Sequence, residues 1–441
     1  MCYTLIIPVN GVIAMSRLKG ASPGGTLLGN EKSRTANLQQ VKEANRSLVF
    51  GLIYHHGTVS RAGLTARTRL SPTTVSSLVD ELIDLGLVHE LGRADTIGSG
   101  RKPVMVSVNP GGGFFASAEL IRDGFELALY DLNCSEVGRF TERVGRYSAI
   151  GKRLGRAIER LMSGCGLEER RLMGICIGAP AIIDPERTVI VVSTVLPMKP
   201  GKDFINELRS RFTGIPIRLE NESGLRCYAE MEYGAVTGIR DLLFIDIDIG
   251  IGSALILDGH LYRGSSGQAG EIGHVSIDYN GPVCACGNKG CLELMANVPS
   301  LIRRVVSGME KGKSSVIGEL TEGETGRVDL ETIRMAAERG DPVVCHALDE
   351  TARLLASGIN SVLNILNPQA IVIGGKMAEL GQSLFDPLEA YLARIALQRA
   401  TGSGRVHRSS LAGNAATLGG ARLLLDEYLR QPGLGHLDRP V

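Results

Sequence analysis

One histidine and three cysteines fall within eighteen residues of this chain. They lie in G-E-I-G-H at Gly270–His274 and, nine residues on, in C-A-C-G-N-K-G-C-L-E at Cys284–Glu293. Zinc favours closed tetrahedral Cys/His sets with short spacings on a glycine-bearing knuckle. Gly281, Gly287 and Gly290 give the backbone the freedom to bring three thiolates together. Ordinary buried cysteines behave as small hydrophobes and have no reason to gather beside a histidine. The spacing therefore predicts a zinc site built from His274, Cys284, Cys286 and Cys291. The other six cysteines (Cys2, Cys134, Cys165, Cys176, Cys227 and Cys345) are scattered, a usage that suits a reducing cytoplasm.

At 441 residues the chain has room for two or three cored domains. Its net charge is +1, but unevenly placed. Residues 1–110 carry 12 Lys+Arg against 7 Asp+Glu, and the remainder 36 against 40. A basic head on a mildly acidic body fits nucleic-acid binding at the N-terminal end. The apolar start, Met1–Ala14, lacks the basic flank and cleavage site of a signal peptide, and no run is apolar enough to span a bilayer. Gly, Ser and Pro dominate Gly20–Asn30, so residues 1–36 read as a disordered leader, with Met15 an alternative start. Residues 431–441 read as a tail.

Between them, residues 37–110 carry helix-turn-helix signals. Val41, Leu48, Val49, Leu52 and Ile53 keep helical spacing from Asn37 to Tyr54, and Gly57 stops that helix. Ser60 caps a short helix over Arg61–Arg67. Ser71-Pro72 then opens a third, with Ser at N-cap and Pro at N1. Val75, Leu78, Val79, Leu82 and Leu85 form one apolar stripe, closed by Gly86. The third helix presents Ser71, Thr73, Thr74 and Ser76 to DNA at its start. A wing follows, with a strand from Leu87-Val88, a loop over Gly92–Gly100 and a return over Val104–Val108. It places Arg93, Arg101 and Lys102 for phosphate or minor-groove contact.

From residue 111 the texture changes, with β-rich runs alternating with helical stretches: Ala116–Asp131, Leu172–Ile177, Ile215–Leu219, Leu242–Asp248 and Ala370–Ile373. Such alternation predicts α/β, with ligands at the carboxyl ends of the strands.

The G-E-I-G-H…C-x-C-G-x-x-G-C-L-E signature resembles that of the ROK family (repressor, open reading frame, kinase), which joins bacterial sugar kinases to sugar-responsive repressors. Asn45-Arg46-Ser47 and S-G-R-K-P at Ser99–Pro103 also resemble the winged helix of its repressors, a domain its kinases lack. The resemblance implies a two-lobed, actin-like sugar-kinase fold over residues 111–430, with a sugar between the lobes. It assigns sugar-hydroxyl contacts to Asn221 and Glu222 of Glu220-Asn221-Glu222, and to Glu271, His274 and Glu293. Thr194 is a weaker addition. His274 is expected to offer one ring nitrogen to zinc and the other to sugar.

Three phosphotransfer elements depart from the kinase pattern. Where kinases carry D-x-G-G-T, this chain has Glu119-Leu120-Ile121-Arg122-Asp123, placing carboxylates where phosphate should come. The second phosphate loop reads Asp248-Ile249-Gly250. The catalytic aspartate is Glu222, whose extra methylene displaces the base. Asn367-Pro368 and Gly374-Gly375 survive. The expected protein is a sugar-responsive DNA-binding regulator on a catalytically degenerate kinase fold, a homodimer or homotetramer on an inverted-repeat operator. The competing reading is a bifunctional ATP-dependent sugar kinase with a DNA-binding head; a third makes a partner protein the input.

Overall fold

The computed structural model describes residues 31–93, 103–144, 147, 149–184, 186, 188–193, 195–197, 204–395, 406–411 and 413–430. The N-terminal unit comprises α1 (Glu31–His56), β1 (Thr58–Ser60), α2 (Arg61–Thr68), α3 (Pro72–Asp84), β2 (Val88–Arg93) and β3 (Val104–Val108). Helix α1 starts before the anticipated Asn37. No Gly or Pro interrupts Glu31–Phe50, while the apolar stripe that periodicity detects begins later. Three antiparallel strands in the order β1-β3-β2 back the helices. Ser60 caps α2 through Gly63 N, and Ser71 caps α3 through Thr74 N with Pro72 at its start.

The body then runs through β4 (Phe114–Ile121), β5 (Gly124–Asp131), β6 (Glu136–Arg143), α4 (Ile150–Gly164), β7 (Leu172–Ala179), β8 (Ile182–Asp184), β9 (Val189–Val192), α5 (Ile205–Arg211), β10 (Ile217–Asn221) and α6 (Glu222–Tyr233). The run expected over Ala116–Asp131 is a tight hairpin, with Ile121 paired to Gly124. A second half contains β11 (Leu242–Ile247), β12 (Ile251–Leu257), β13 (His260–Tyr262), α7 (Leu292–Ala296), α8 (Val298–Glu310), α9 (Ile317–Leu320) and α10 (Leu330–Glu338). It ends with α11 (Pro342–Leu366), β14 (Ala370–Gly374), α12 (Gln382–Ile395), β15 (Val406–Arg408) and α13 (Ala415–Arg430).

Two five-stranded mixed sheets result, ordered β10-β7-β4-β5-β6 and β13-β12-β11-β14-β15. Helices α6 and α13 lie between them. Their Leu225, Tyr228, Ala416 and Leu424 share one apolar cluster with Tyr130 and Met173 of the first sheet and Phe244 and Val372 of the second. The outer face of the first sheet is covered by α4 and α5, and that of the second by α8 and α10–α12. Strands β4, β7 and β10 run parallel, as do β11 and β14. Their carboxyl ends bring Glu119, Ala179, Asn221, Ile247 and Gly374 to the same side of the two sheets, where such folds bind ligands.

The head is packed onto this body rather than hung from it. Val49, Phe50 and Ile53 of α1 belong to the same cluster as Leu425 and Tyr428 of α13. Phe50 meets the Tyr428 ring edge-on at 6.0 Å. A second tie fastens the end of α3. Gly86 (φ +75) lies under Arg171, its carbonyl accepts from Asn109 Nδ2 at 2.7 Å, and a Cβ on Gly112 would stand 2.4 Å from that oxygen.

Candidate functional site

The predicted metal ligands converge. One ligand atom from each of His274, Cys284, Cys286 and Cys291 lies within 4.8 Å of all the others. Cys286 Sγ and Cys291 Sγ are 3.6 Å apart, and Cys284 Sγ is 3.8 Å from His274 Nδ1. A tetrahedron with bonds of about 2.3 Å has edges of about 3.8 Å, which these two pairs already match, and drawing in the rest of a set that spans at most 4.8 Å takes about 1 Å of side-chain movement. The knuckle is held by its own backbone: Cys284 N donates to Asn288 O, Gly287 N to Cys284 O and Gly290 N to Pro282 O. Gly290 (φ +59) has no alternative, since a Cβ there would stand 1.8 Å from Asp278 O. Because Nδ1 faces the thiols, Nε2 is the nitrogen left for a ligand.

Glu271 and Glu293 lie beside the knuckle at the β11–β12 turn. Glu271 lies within electrostatic reach of both His274 and Glu293, and burial pushes its carboxyl upward. Glu293 Oε2 accepts from Ile251 N at 3.0 Å. Across the turn, a Cβ on Gly252 would reach Ser223 Oγ at 2.5 Å, which seats the start of α6 against the same segment. Asn221 is partly committed to structure. Its Oδ1 caps α6 through Gly224 N at 3.1 Å and its Nδ2 donates to Ala181 O at 3.2 Å. Thr194 falls outside the described residues.

Glu222 is half-buried overall, but its Oε2 is sealed from solvent without a hydrogen-bond partner. Burial pushes this carboxyl from 4.5 up to about 8, Glu119 and Asp246 adding to the shift and Arg226 opposing it. Between those values the native state keeps a proton that the unfolded chain has released. Its contribution is complete below about pH 4.5 and is lost as the pH climbs toward about 8. Glu222→Gln should remove that dependence. Between pH 6 and pH 9 the parent protein should lose on the order of 2 kcal/mol relative to the variant. Melting both proteins across that range checks it; parallel profiles would mean that the carboxyl ionises freely.

The segments that the resemblance aligns with the kinase phosphate loops are engaged internally. Glu119 is buried and pairs with Arg226, while Asp123 pairs with Arg143 at the exposed hairpin tip. At the second loop, Asp248 N donates to Gly250 O, Ile251 N to Glu293, and Asn297 Nδ2 to Ile249 O. Two amides that a phosphate loop would offer are therefore already engaged. Gly375 (φ +74) survives for packing, because a Cβ there would lie 2.5 Å from Asp246 Oδ1.

On the head, Ser71 and Thr73 are exposed at the start of α3, while Thr74 and Ser76 are half-buried. The Ser76 carbonyl accepts from Arg61, which also pairs with Asp80 at 2.7 Å and Glu90 at 3.0 Å, fixing α2 against α3 and the wing. Arg93 ends β2, and Arg101 and Lys102 lie outside the described residues. Sequence reasoning missed Arg67 and Arg69. Both are exposed just before α3, Arg69 in the left-handed cap of α2 (φ 60). Arg67 closed the helix expected over Arg61–Arg67 and Arg69 lay in the turn after it, and neither position carries a pattern of its own. Arg226, four residues after Glu222, was missed as well.

Comparison with known proteins matches the ROK family over residues 122–427 and the MarR family over residues 43–95. A putative xylose repressor from Caldicellulosiruptor sp. (strain Rt8B.4) is 29% identical over 89% of this chain and 98% of its own. The xylose repressor of Bacillus subtilis (strain 168) is 28% identical over 88% and 97%. The repressor Mlc of Escherichia coli K12 is 27% identical over 90% and 96%. The crystal structure of a ROK family transcriptional regulator, a homologue of E. coli Mlc, aligns with TM-score 0.77 at 27% identity, over 89% of this chain and 97% of that one. A ROK family glucokinase from Streptomyces griseus, 23% identical, shares the fold with TM-score 0.59 over 70% of this chain and 99% of its own. With family matches over head and body alike, the chain belongs to the ROK family, as a transcriptional regulator with a MarR-like helix-turn-helix at its N-terminus.

Proposed function

We propose that this protein is a sugar-responsive transcriptional repressor whose kinase-like body senses and does not phosphorylate. The observation that carries this reading is the occupied phosphate floor. Carboxylates and engaged amides stand where the kinase pattern would need free N–H groups for nucleotide phosphate, and Glu271, His274 and Glu293 lie together beside the knuckle. The xylose, Mlc and N-acetylglucosamine repressors it resembles support a sugar as the input. Zinc at His274, Cys284, Cys286 and Cys291 would hold the His274 ring in place, and Nε2 would meet a sugar hydroxyl. Asn221, Glu222, Glu271, Glu293 and Thr194 complete the sugar set. Sugar binding would alter how the two sheets close and, through α13 and α1, the spacing of two heads on an inverted repeat.

Fluorescence anisotropy with DNA from upstream of its own gene tests the reading, with D-xylose, D-glucose and N-acetyl-D-glucosamine as added probes. One sugar should shift operator affinity about tenfold or more, while ATP turnover stays far below the roughly 1–100 per second of working kinases. Turnover in that range would make the protein an enzyme. On the DNA side, Ser71, Thr73, Thr74 and Ser76 are assigned to the groove, and Arg93, Arg101 and Lys102 to phosphates. Arg101→Ala with Lys102→Ala should weaken binding to every sequence and lower the salt slope by roughly 2. A loss confined to the operator would instead place these residues on base edges.

A further inference from the structure

The ion network beneath the cleft does more than exclude phosphate. Arg226 projects from α6, the helix packed between the sheets, and its guanidinium faces both of them. It hydrogen-bonds Glu119 at the end of β4 in the first sheet, and its Nε stands 3.3 Å from Asp246 Oδ2 near the end of β11 in the second, an ion contact without a hydrogen bond. All three side chains are largely buried, Glu119 at 8%, Asp246 at 19% and Arg226 at 23% exposure. Burial pushes both carboxyls upward and Arg226 pulls them back, so each depends on this one cation. Glu222 lies one helical turn before Arg226 with its oxygen unpartnered, and Asp246 rests against Gly375 and feels Asp248. One guanidinium thus joins the ends of two strands from different sheets, at the floor of the proposed effector cleft.

We propose that Arg226 is a positioning residue for effector sensing, an internal strut that ties the two sheets together where a kinase of this fold would hold its nucleotide. Resting on the reading of the body as a degenerate kinase, this gives the cleft a fixed closure in the absence of any nucleotide. A ligand that engages Glu222, on the same helix face, then acts on the element that carries the strut. Removing one partner of a buried ion group leaves the others uncompensated, so the tie should behave as a unit.

Hydrogen exchange on the full-length protein, without ligand, tests the strut. Arg226→Met should raise exchange about tenfold at the carboxyl ends of β4 and β11 together, with Arg226→Lys and Glu119→Gln intermediate. Glu119→Gln added to Arg226→Met should change little more. Arg218→Gln, which breaks an ion pair with Glu427 at 2.8 Å on one side of the core, should leave β11 unchanged. Loosening of only one sheet, or additive effects in the double variant, would overturn the proposal. Should Arg226→Met fail to fold, Arg226→Lys and Glu119→Gln decide by the same criterion. Calorimetry with AMPPNP on the parent protein runs beside it. Micromolar binding there would sink the degenerate-kinase reading, whatever the exchange pattern shows about the tie.

Discussion

Cys291→Ser should yield a protein without stoichiometric zinc that melts several degrees below its parent. Cys291 is fully buried, starts the segment leading into α7, and sits 3.6 Å from Cys286 Sγ. A metal that binds only the native state adds about 4 kcal/mol when its free concentration is a thousand times its dissociation constant. For a chain of 441 residues that corresponds to roughly 4–5 °C. The parent should therefore fall by a similar amount on treatment with EDTA, and the variant should barely respond. The loss should also reach the cleft. Glu293 follows Cys291 by two residues and receives the Ile251 amide, and His274 loses the ion that orients its ring. Any effector response should weaken more than operator affinity in the absence of effector. Metal analysis and melting with and without chelator decide it; a parent free of zinc and indifferent to EDTA would defeat the assignment.

What could be read from the chain alone followed the range of the interactions. The histidine and three cysteines of the cluster lie within eighteen residues, so their convergence needed only a local knuckle, and cysteine spacing reported it. Helices α2 and α3 announced themselves through Ser60, Ser71 and Pro72, because capping chemistry is written at the helix start. Strand β1 stayed hidden, since its three residues, Thr58–Ser60, are too few to show alternation. The end of β4 illustrates an intermediate case. Glu119 was recognisable as a charge misplaced for phosphate binding, but its partner Arg226 lies 107 residues away, where a lone arginine on a helix carries no pattern. Arg422 was invisible for the same reason. Its partners come from α1, α6 and its own helix, and only the packed fold puts them in one place.

Arg422→Met should destabilise the protein by about 3–5 kcal/mol and uncouple the DNA-binding head from the body. The guanidinium is 12% exposed and pairs with Glu232 at 2.7 Å and Asp426 at 3.1 Å. It also donates to the hydroxyls of Tyr54 at 3.2 Å and Tyr233 at 3.4 Å, and lies 5.6 Å and 5.7 Å from their ring centroids. Tyr54 belongs to α1 of the head, so this one side chain joins α1 to α6 and α13. Burial pushes the Tyr54 hydroxyl up to about 12 and keeps it a neutral partner across the physiological range. Methionine preserves much of the volume but strands the carboxylates of Glu232 and Asp426, and stranded buried charges are the costly outcome. Glu232→Gln with Arg422→Met should recover part of the loss, which a pure packing role for Arg422 would not allow. Because α13 lies between the sheets, its grip on α1 offers a physical route from cleft to DNA-binding head. Operator affinity without effector should change by less than about threefold, while the difference between its values with and without effector should largely vanish. Anisotropy titrations of parent and variant with the responsive sugar measure both quantities. A variant that folds, binds operator and keeps its full response would mean that the signal leaves the body by another path, through the Asn109 and Arg171 contacts at Gly86 and Gly112.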